Sequence, residues 1–334
     1  GVSLAAAVTA GALAALLLGE RRDRIVAAVI VLCVWGTGTA LTRIEWTVPR
    51  GAPIRAALVQ GAVPQSMKWA ADQRARTMQL YADLMVPHLG ADVIVWPESA
   101  IPALEANVRP YLAQMSALAN ESGSSLLMGL LRRDAATGSY YNSVAAWALD
   151  QPVQWYDKRR LVPFGEFFPV PQAVREWLRL MNLPYSDFQA GRAGPAPLRA
   201  AGETFAPTVC YEDAYGSEQL GLVRQSSLLV NVTNDAWFGD STAPHQHLDI
   251  SRMRALESGR AMLRATNDGV TALIGHDGSL LGTLPQFQPG VLTGEVQPRT
   301  GLTPYVRFGN WPILAVLWLG LAVIVVLRRR SSRQ

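Results

Sequence analysis

Three runs of apolar residues in this sequence contain no charged side chain. They occupy positions 2–18, 25–41 and 312–327, and each is slightly shorter than the roughly 20 residues that cross a hydrocarbon core as a helix. A signal peptide or buried core helices are the alternatives. The first two runs are joined by a short charged link and the third lies at the opposite end of the chain, which favours membrane anchors. We therefore predict three transmembrane helices.

Basic residues at the ends of these runs predict their orientation. The link "ERRDR" at 20–24 and the tail "RRRSSRQ" at 328–334 are the densest basic clusters beside the apolar runs, and such clusters remain on the cytoplasmic side. We expect two transmembrane helices in residues 1–45 (the end of a larger N-terminal bundle), an outer domain in 46–304, and a third helix with a basic cytoplasmic tail in 305–334. The net charge of +4 then reflects topology, and no nucleic-acid partner is expected.

Between the apolar runs, short hydrophobic stretches alternate with amphipathic ones, which is typical of an α/β domain. The strands are predicted at 54–60, 93–96, 125–131, 143–149, 207–210, 228–233 and 269–275. The helices are predicted at 70–86, 108–121, 171–181, 217–224 and 247–266, the last because apolar residues interleave with four arginines. The Pro- and Gly-rich stretches 47–53 and 285–304 are interpreted as connections to the membrane anchors.

Three of the predicted strands end in polar residues capable of chemistry: "DVIVWPES", "APTVCYED" and "LLVNVTND". Because sites in α/β folds collect at the carboxyl ends of neighbouring strands, we expect Glu98, Cys210 and the pair Asn234 and Asp235 to lie close together. Cys210 is one of only two cysteines. The other, Cys33, lies within an apolar run and is interpreted as a small hydrophobic residue.

A thiol acts as a nucleophile when a base or a cation lies beside it. Histidine is the usual partner, and the sequence contains four. His245 and His247 remain candidates, but "HQH" has no cysteine or carboxylate at zinc-ligand spacing, so no metal site is predicted. The alternative is a carboxylate base with a lysine. Lys158 lies in "QWYDKRRLVPFGEFFP", a run that by itself is more typical of a solvated basic surface.

Taken together and in order, these segments resemble a known family. "VWPESAIP" with Glu98, "YDKRRLVPFGEFFP" with Lys158 and "VCYEDAYG" with Cys210 resemble the Glu-Lys-Cys triad of the nitrilase, or carbon–nitrogen hydrolase, superfamily. Within it, further motifs are similar to those of the apolipoprotein N-acyltransferases. These motifs are "VQGAVPQSMKW" (59–69), "LVPFGEF" (161–167), "NDAWFGDS" (234–241), "RMRALESGR" (252–260), and "GLTPY" followed by "GNWP" (301–312).

The resemblance implies a four-layer αββα sandwich with flanking transmembrane helices, in a multi-pass protein of the bacterial inner membrane whose catalytic domain faces the periplasm. It implies the catalytic residues Glu98, Lys158 and Cys210, and no cofactor. The supporting residues that it implies are Trp69, Glu166, Tyr211, Glu212 and Trp237. The family has a larger N-terminal helix bundle than the two helices present before this catalytic domain.

The activity that the resemblance implies is transfer of an acyl chain from a phospholipid, through a thioester on cysteine, to the α-amino group of the N-terminal diacylglyceryl-cysteine of an apolipoprotein. Exposed loops should then carry an apolar, lipid-facing mouth, for which the candidates are Trp69, Phe164, Phe167, Phe168, Trp237 and Phe238. Ordinary core positions are the alternative for each of these aromatic residues. Glu166 and Glu212 are expected to orient Lys158 rather than to raise the pKa of the thiol by repulsion.

Two other functions fit parts of the same pattern. A membrane-tethered C–N hydrolase, an amidase or nitrilase, would use the same triad with water as the acceptor. A non-catalytic membrane scaffold with a decayed nitrilase domain is the second alternative, which the complete set of Glu98, Lys158 and Cys210 argues against.

Overall fold

The computed structural model describes residues 2–70, 72–167, 169–170 and 188–331, in two compact units, Gly1–Trp46 and Thr47–Gln334. The first unit is a helical hairpin of α1 (Val2–Leu18) and α2 (Arg21–Leu41), in which Trp35 Nε1 donates to Thr9 Oγ1 at 3.0 Å. Among the described residues, α2 alone is long and apolar enough to cross a membrane, whereas α1 and the segment Trp311–Val326 are apolar but shorter.

The second unit contains seven α-helices and fourteen strands among its described residues. The helices are α3 (Gln65–Lys68), α4 (Arg74–Met85), α5 (Arg109–Glu121), α6 (Gly216–Val223), α7 (Ala243–Ser258), α8 (Pro304–Phe308) and α9 (Trp311–Ser331). The strands are β1 (Thr47–Pro49), β2 (Ile54–Gln60), β3 (Val93–Trp96), β4 (Ser125–Arg133), β5 (Tyr140–Trp147), β6 (Gln154–Asp157), β7 (Leu198–Ala200), β8 (Glu203–Val209), β9 (Leu228–Thr233), β10 (Met262–Thr266), β11 (Ala272–Ile274), β12 (Leu280–Thr283), β13 (Gly290–Val296) and β14 (Arg299–Gly301).

Twelve of these strands form two six-stranded sheets, with the orders β13-β2-β3-β4-β5-β6 and β12-β11-β10-β9-β8-β7. The centre of each sheet is parallel: β2, β3 and β4 in the first, and β8, β9 and β10 in the second. The outer strands run antiparallel, and β1 pairs separately with β14. The two parallel centres place the carboxyl ends of several buried strands where functional side chains can meet.

Alternation along the strands divides the apolar core into two layers. On β2, Ala56 and Leu58 belong to a cluster shared with the second sheet and with α6 and α7. Their neighbours Ala57 and Val59 belong to another cluster, which packs against α4 and α5. Since side chains point alternately to opposite faces of a strand, both faces of the first sheet are covered. The layers are therefore helix, sheet, sheet and helix, which confirms the predicted αββα sandwich.

The predicted helix 247–266 is wrong in its second half. Helix α7 ends at Ser258 because Gly259 adopts a left-handed conformation (φ 63°), which terminates the helix at low steric cost. Met262–Thr266 then forms the fully buried β10, parallel to β9. The mixture of apolar and arginine residues resembles a helix period, but Arg264 on β10 is buried in an ionic cluster rather than facing solvent.

The interpretation of 285–304 as a plain connection is also wrong, because β13 pairs with β2 along its whole length and completes the first sheet. Small and polar residues interrupt the apolar ones in "GVLTGEV", so the sequence pattern does not indicate a strand at this position. The predicted helix 171–181 lies outside the described residues. The remaining predicted strands and helices are present, with ends that differ by a few residues.

Candidate active site

Three sequence-predicted residues lie at the carboxyl ends of three strands and converge in one buried cluster. Glu98 follows β3, Lys158 directly follows β6, and Cys210 directly follows β8. Lys158 Nζ lies 3.7 Å from Glu98 Oε1, and both side chains are buried. Cys210 interacts electrostatically with both. The two sheets thus contribute different parts of the site: the carboxylate and the ammonium come from the first, and the thiol comes from the second.

Cys210 has an unusual backbone conformation. Its φ of 54° lies in the left-handed region, where a residue with a side chain carries a strain of about 1–3 kcal/mol. The residue begins the 3₁₀ turn Cys210–Ala214, so the chain bends sharply as it leaves β8. Asn231 Nδ2 donates to its carbonyl oxygen at 2.9 Å and helps to hold this conformation. Cys210 is partly buried at the point where the chain leaves the strand.

The thiol of Cys210 is protonated at rest. Burial raises its pKa to about 12, and the charge of Glu98 adds to this effect whereas Lys158 opposes it. A permanent thiolate is therefore absent at neutral pH. Reaction at this sulfur requires a base that removes the proton as the new bond forms.

Glu98 is placed to be that base. Burial raises the pKa of its carboxyl group, although Lys158 opposes the rise, and a higher pKa makes the carboxylate a better proton acceptor. The Asn142 amide nitrogen bridges two carboxylates, donating to Glu98 Oε1 at 2.6 Å and to Glu166 Oε1 at 2.8 Å. Asn142, which the sequence interpretation missed, therefore fixes the position of the candidate base.

Lys158 remains charged in this buried position. Burial alone would lower its pKa, but the negative charges of Glu98 and Glu166 raise it above the usual value for lysine. Glu166 forms the shorter ion pair, with Lys158 Nζ at 2.9 Å from its Oε1. Glu166 thus lies where it can orient the ammonium group, as the sequence led us to expect.

Glu212 acts on the same segment by a different route. Its Oε1 accepts hydrogen bonds from the backbone N–H groups of Arg159 at 2.7 Å and Arg160 at 3.0 Å, and its Oε2 accepts from Val209 N–H at 2.8 Å. The hydroxyl of Tyr156 also donates to it. Glu212 is completely buried. It therefore holds the backbone on either side of the site rather than pairing directly with the Lys158 ammonium.

A second buried lysine lies beside Glu98 and was not assigned a role from the sequence. Lys68, on α3, is 1% exposed, and its Nζ donates to the Glu98 carbonyl oxygen at 3.2 Å. Burial lowers its pKa to about 8, with Glu98 opposing. The sequence has only two lysines between the apolar runs, Lys68 and Lys158, and this scarcity is the feature that could have indicated a role for Lys68.

Most of the candidate mouth aromatics are exposed. Trp237 is the most exposed, at 71%. Phe164, Trp69 and Phe238 are more than half exposed. Phe167 is partly buried, and Phe168 lies outside the described residues. The alternative of ordinary core positions is therefore wrong for the four exposed side chains. Tyr211 is partly buried and stacks edge-on against Tyr215, with ring centroids 5.5 Å apart.

A buried ionic cluster lies behind Cys210. His247 Nδ1 lies 2.9 Å from Asp235 Oδ1, and its Nε2 lies 3.2 Å from Asp213 Oδ1. Arg264 Nη2 lies 2.8 Å from Asp235 Oδ2. Burial and Arg264 would lower the pKa of His247, but the two aspartates outweigh them and raise it to about 9. Across the described part of the chain, no three His, Cys, Asp or Glu side chains are arranged to hold a metal ion.

This imidazolium makes the stability of the fold depend on pH. The pKa of His247 is raised from 6.5 to about 9 on folding, so its contribution is complete below pH 6.5 and is lost as the pH rises through 9. The loss of unfolding free energy in His247→Gln should be larger near about pH 6 than near about pH 10, by at most about 3 kcal/mol. Urea titrations at both pH values measure this difference. An equal loss at both would show that the imidazole is uncharged in the fold.

Comparison with known proteins agrees with this fold. The carbon-nitrogen hydrolase family profile matches residues 55–305. Among solved structures, a CN-hydrolase superfamily protein from Xanthomonas campestris superposes with a TM-score of 0.55 at 19% identity, covering 78% of this chain and 96% of its own. At that identity the likeness concerns the fold.

Curated relatives are more similar in sequence. An apolipoprotein N-acyltransferase from Methylococcus capsulatus is 42% identical over 99% of this chain, and one from Azotobacter vinelandii is 45% identical over 92%. The chain spans 66% and 60% of the length of these two relatives. Since the family profile covers most of the sequence, including Glu98, Lys158 and Cys210, the chain belongs to the carbon–nitrogen hydrolase family.

Proposed function

We propose that this chain carries the catalytic domain of an apolipoprotein N-acyltransferase, with Glu98, Lys158 and Cys210 as its catalytic residues. The observation that carries the proposal is the 42% identity to an enzyme of that name over 99% of this chain, apolar segments at both ends included. The buried cluster of a carboxylate, an ammonium and a thiol supports it, because covalent acyl transfer requires a base, a charge stabiliser and a nucleophile.

In the proposed first half-reaction, Glu98 accepts the thiol proton as the Cys210 sulfur attacks the ester carbonyl of a phospholipid. Lys158 stabilises the negative charge that develops on the carbonyl oxygen, a role in which one donor typically contributes about 10²–10³ in rate. The C–O ester bond then breaks, Glu98 returns its proton to the leaving oxygen, and a lysophospholipid departs. The acyl chain remains on Cys210 as a thioester.

In the second half-reaction, the α-amino group of a diacylglyceryl-cysteine attacks the thioester. Glu98 accepts a proton from the amine, the C–S bond breaks, and the sulfur is reprotonated as the amide forms. Dividing the transfer in this way removes the need to hold both bulky lipids in one site at the same moment.

We place this chemistry at the surface of the bacterial inner membrane. Helix α2 would span the bilayer, and the shorter apolar segments Val2–Leu18 and Trp311–Val326 would insert into it, with the basic clusters 20–24 and 328–334 in the cytoplasm and the domain 46–304 in the periplasm. The exposed side chains of Trp69, Phe164, Trp237 and Phe238 would form an apolar mouth that contacts lipid, because aromatic side chains favour the membrane interface.

Intact-mass analysis of the purified protein tests the proposed reaction. Mixing it with a phospholipid should add one acyl chain to Cys210, and a diacylated lipopeptide should then remove that chain and become N-acylated. Release of free fatty acid without an N-acylated peptide would identify a C–N hydrolase-like enzyme that uses water. Absence of any adduct, together with no reaction of Cys210 with iodoacetamide, would indicate a non-catalytic scaffold.

Replacing Trp237 by serine should weaken use of the lipid donor without affecting the thiol. Because Trp237 is 71% exposed, its loss removes apolar contact area for lipid and little packing. We expect kcat/KM for phospholipid to fall about tenfold or more, with unchanged alkylation of Cys210 by iodoacetamide. Trp237→Phe is the control and should retain most activity. Equal loss of transfer and alkylation in Trp237→Ser would indicate misfolding and contradict the lipid-contact role.

A further inference from the structure

Arg264 is a completely buried arginine that lies in neither the proposed triad nor the exposed mouth. It projects from β10 into the ionic cluster behind Cys210, and the two terminal nitrogens of its guanidinium donate to two different side chains. Nη1 donates to Asn231 Oδ1 at 2.8 Å, and Nη2 donates to Asp235 Oδ2 at 2.8 Å. Each of these acceptors is the first member of a hydrogen-bond chain that leads to the nucleophile.

The first chain ends at the backbone of Cys210. Since Arg264 occupies Asn231 Oδ1, the amide group must present its nitrogen on the other side, where Nδ2 donates to the Cys210 carbonyl oxygen at 2.9 Å and to Thr208 Oγ1 at 3.0 Å. A flipped amide would place its NH₂ group against the Arg264 guanidinium and its oxygen against the Cys210 carbonyl oxygen. Arg264 therefore selects the orientation that holds the left-handed backbone of Cys210.

The second chain ends at Thr233, next to Cys210. Asp235 is held on Oδ2 by Arg264 and on Oδ1 by His247, and Oδ1 also accepts from Thr233 Oγ1 at 3.2 Å. Thr233 and Cys210 directly follow Val232 and Val209, which pair in register on β9 and β8, and the Thr233 hydroxyl lowers the pKa of the Cys210 thiol. A hydroxyl group has a single proton to donate. Thr233 can thus bond to Asp235 while the thiol is protonated, and to the sulfur once the thiol proton has left.

We propose that Thr233 is a further catalytic residue, whose hydroxyl donates a hydrogen bond to the Cys210 sulfur as it becomes negative, and that Arg264 is a positioning residue for both chains. The thiol proton passes to Glu98 when the S–H bond breaks. The Thr233 hydroxyl keeps its own proton, but it rotates so that its hydrogen bond passes from Asp235 to the sulfur. Asp235 still has Arg264 and His247 as partners after this rotation, so its buried carboxylate remains paired.

This inference rests on the proposed function only in taking Cys210 as the nucleophile. A hydrogen bond from a neutral hydroxyl to a charged sulfur is stronger than one to a neutral thiol. The contribution of Thr233 should therefore appear as the sulfur ionises. It should be visible with any small electrophile, in the absence of phospholipid and of lipopeptide, so failure of acyl transfer and failure of this inference are separate results.

The experiment measures the rate at which iodoacetamide alkylates Cys210 in the full chain as a function of pH. Mass spectrometry of the Cys210 peptide separates this reaction from that of Cys33. Thr233→Val, which removes the hydroxyl and keeps the shape, should alkylate about tenfold more slowly at a given alkaline pH, equivalent to a shift of about one pH unit in the profile. Thr233→Ser, which keeps the hydroxyl, should remain within about twofold of wild type.

Thr77→Val is the matched control, because Thr77 is also a buried threonine but lies on α4, outside the cluster. It should leave the alkylation profile unchanged. A Thr233→Val profile that coincides with wild type would overturn the role of Thr233. So would equal slowing in Thr233→Val and Thr233→Ser, since that would report altered packing instead of a lost hydroxyl.

The role of Arg264 is tested by coupling. A lysine at position 264 can bond to either Asn231 or Asp235 but not to both. In the Arg264→Lys background, Thr233→Val should therefore slow alkylation by no more than about twofold. In the wild-type background it should slow alkylation about tenfold. If Arg264→Lys does not fold, as thermal unfolding would show, the same coupling is measured in Asp235→Asn. Fully additive effects in the background that folds would overturn the positioning role.

Discussion

Cys210→Ala is expected to abolish both formation of the acyl-enzyme and transfer of the acyl chain. The side chain is the only group at the site that can carry a thioester, so its loss removes the route itself instead of slowing one step. The measurement is intact mass after incubation with phospholipid. Wild type should gain one acyl chain, and the variant should gain none.

The control for this experiment is Cys33→Ala, because Cys33 is the other cysteine and lies in the apolar helix α2. It should acquire the acyl chain as wild type does. Cys210→Ser should be nearly as poor as Cys210→Ala, since a hydroxyl ionises far less readily than a thiol in the same buried position. An adduct of equal mass on Cys210→Ala would refute the assignment of the nucleophile.

Glu98→Gln is expected to slow acylation by about 10²–10⁴-fold, the usual contribution of a general base. Because the Cys210 thiol has a pKa of about 12, it has no other ready route to lose its proton at neutral pH. Glutamine keeps the shape of the side chain and an oxygen that can still accept from Asn142 Nδ2. The effect should therefore be chemical, and the protein should unfold at nearly the wild-type temperature.

The rate of the single acylation turnover, followed by mass, measures this effect. Glu105→Gln is the matched control, since Glu105 pairs with Arg109 near the surface and lies away from the cluster. It should acylate at the wild-type rate. An acylation rate in Glu98→Gln within about threefold of wild type would exclude Glu98 as the base.

The residues at the ends of the apolar strands were predictable because one local pattern produces them. "VIVW" and "LLVNVT" are strongly apolar runs followed by polar residues, and Glu98 and Asp235 lie close to the strand ends observed in the structure. Cys210 follows β8 in the same way. Burial of a strand on both faces gives a continuous apolar signal, which is readily recognised in a single sequence.

The contributions of Asn142, Lys68 and Arg264 could not be predicted in this way. Each is a polar or charged residue whose burial depends on partners that are distant in sequence, such as Glu166 for Asn142 and Asp235 for Arg264. A lysine or arginine viewed alone is more often exposed. The same reason explains why β10 was interpreted as a helix: buried Arg264 looked like a solvent-facing position.

Glu212 also has a consequence for the way in which the fold is assembled. It follows β8 of the second sheet, yet it accepts hydrogen bonds from the backbone just after β6 of the first sheet. Thiol and base therefore meet only after the two sheets have docked and this carboxylate has been buried. A chain that is still folding has an isolated thiol with no base beside it. Reactivity would thus appear together with the finished sandwich, so that no incomplete intermediate would be acylated.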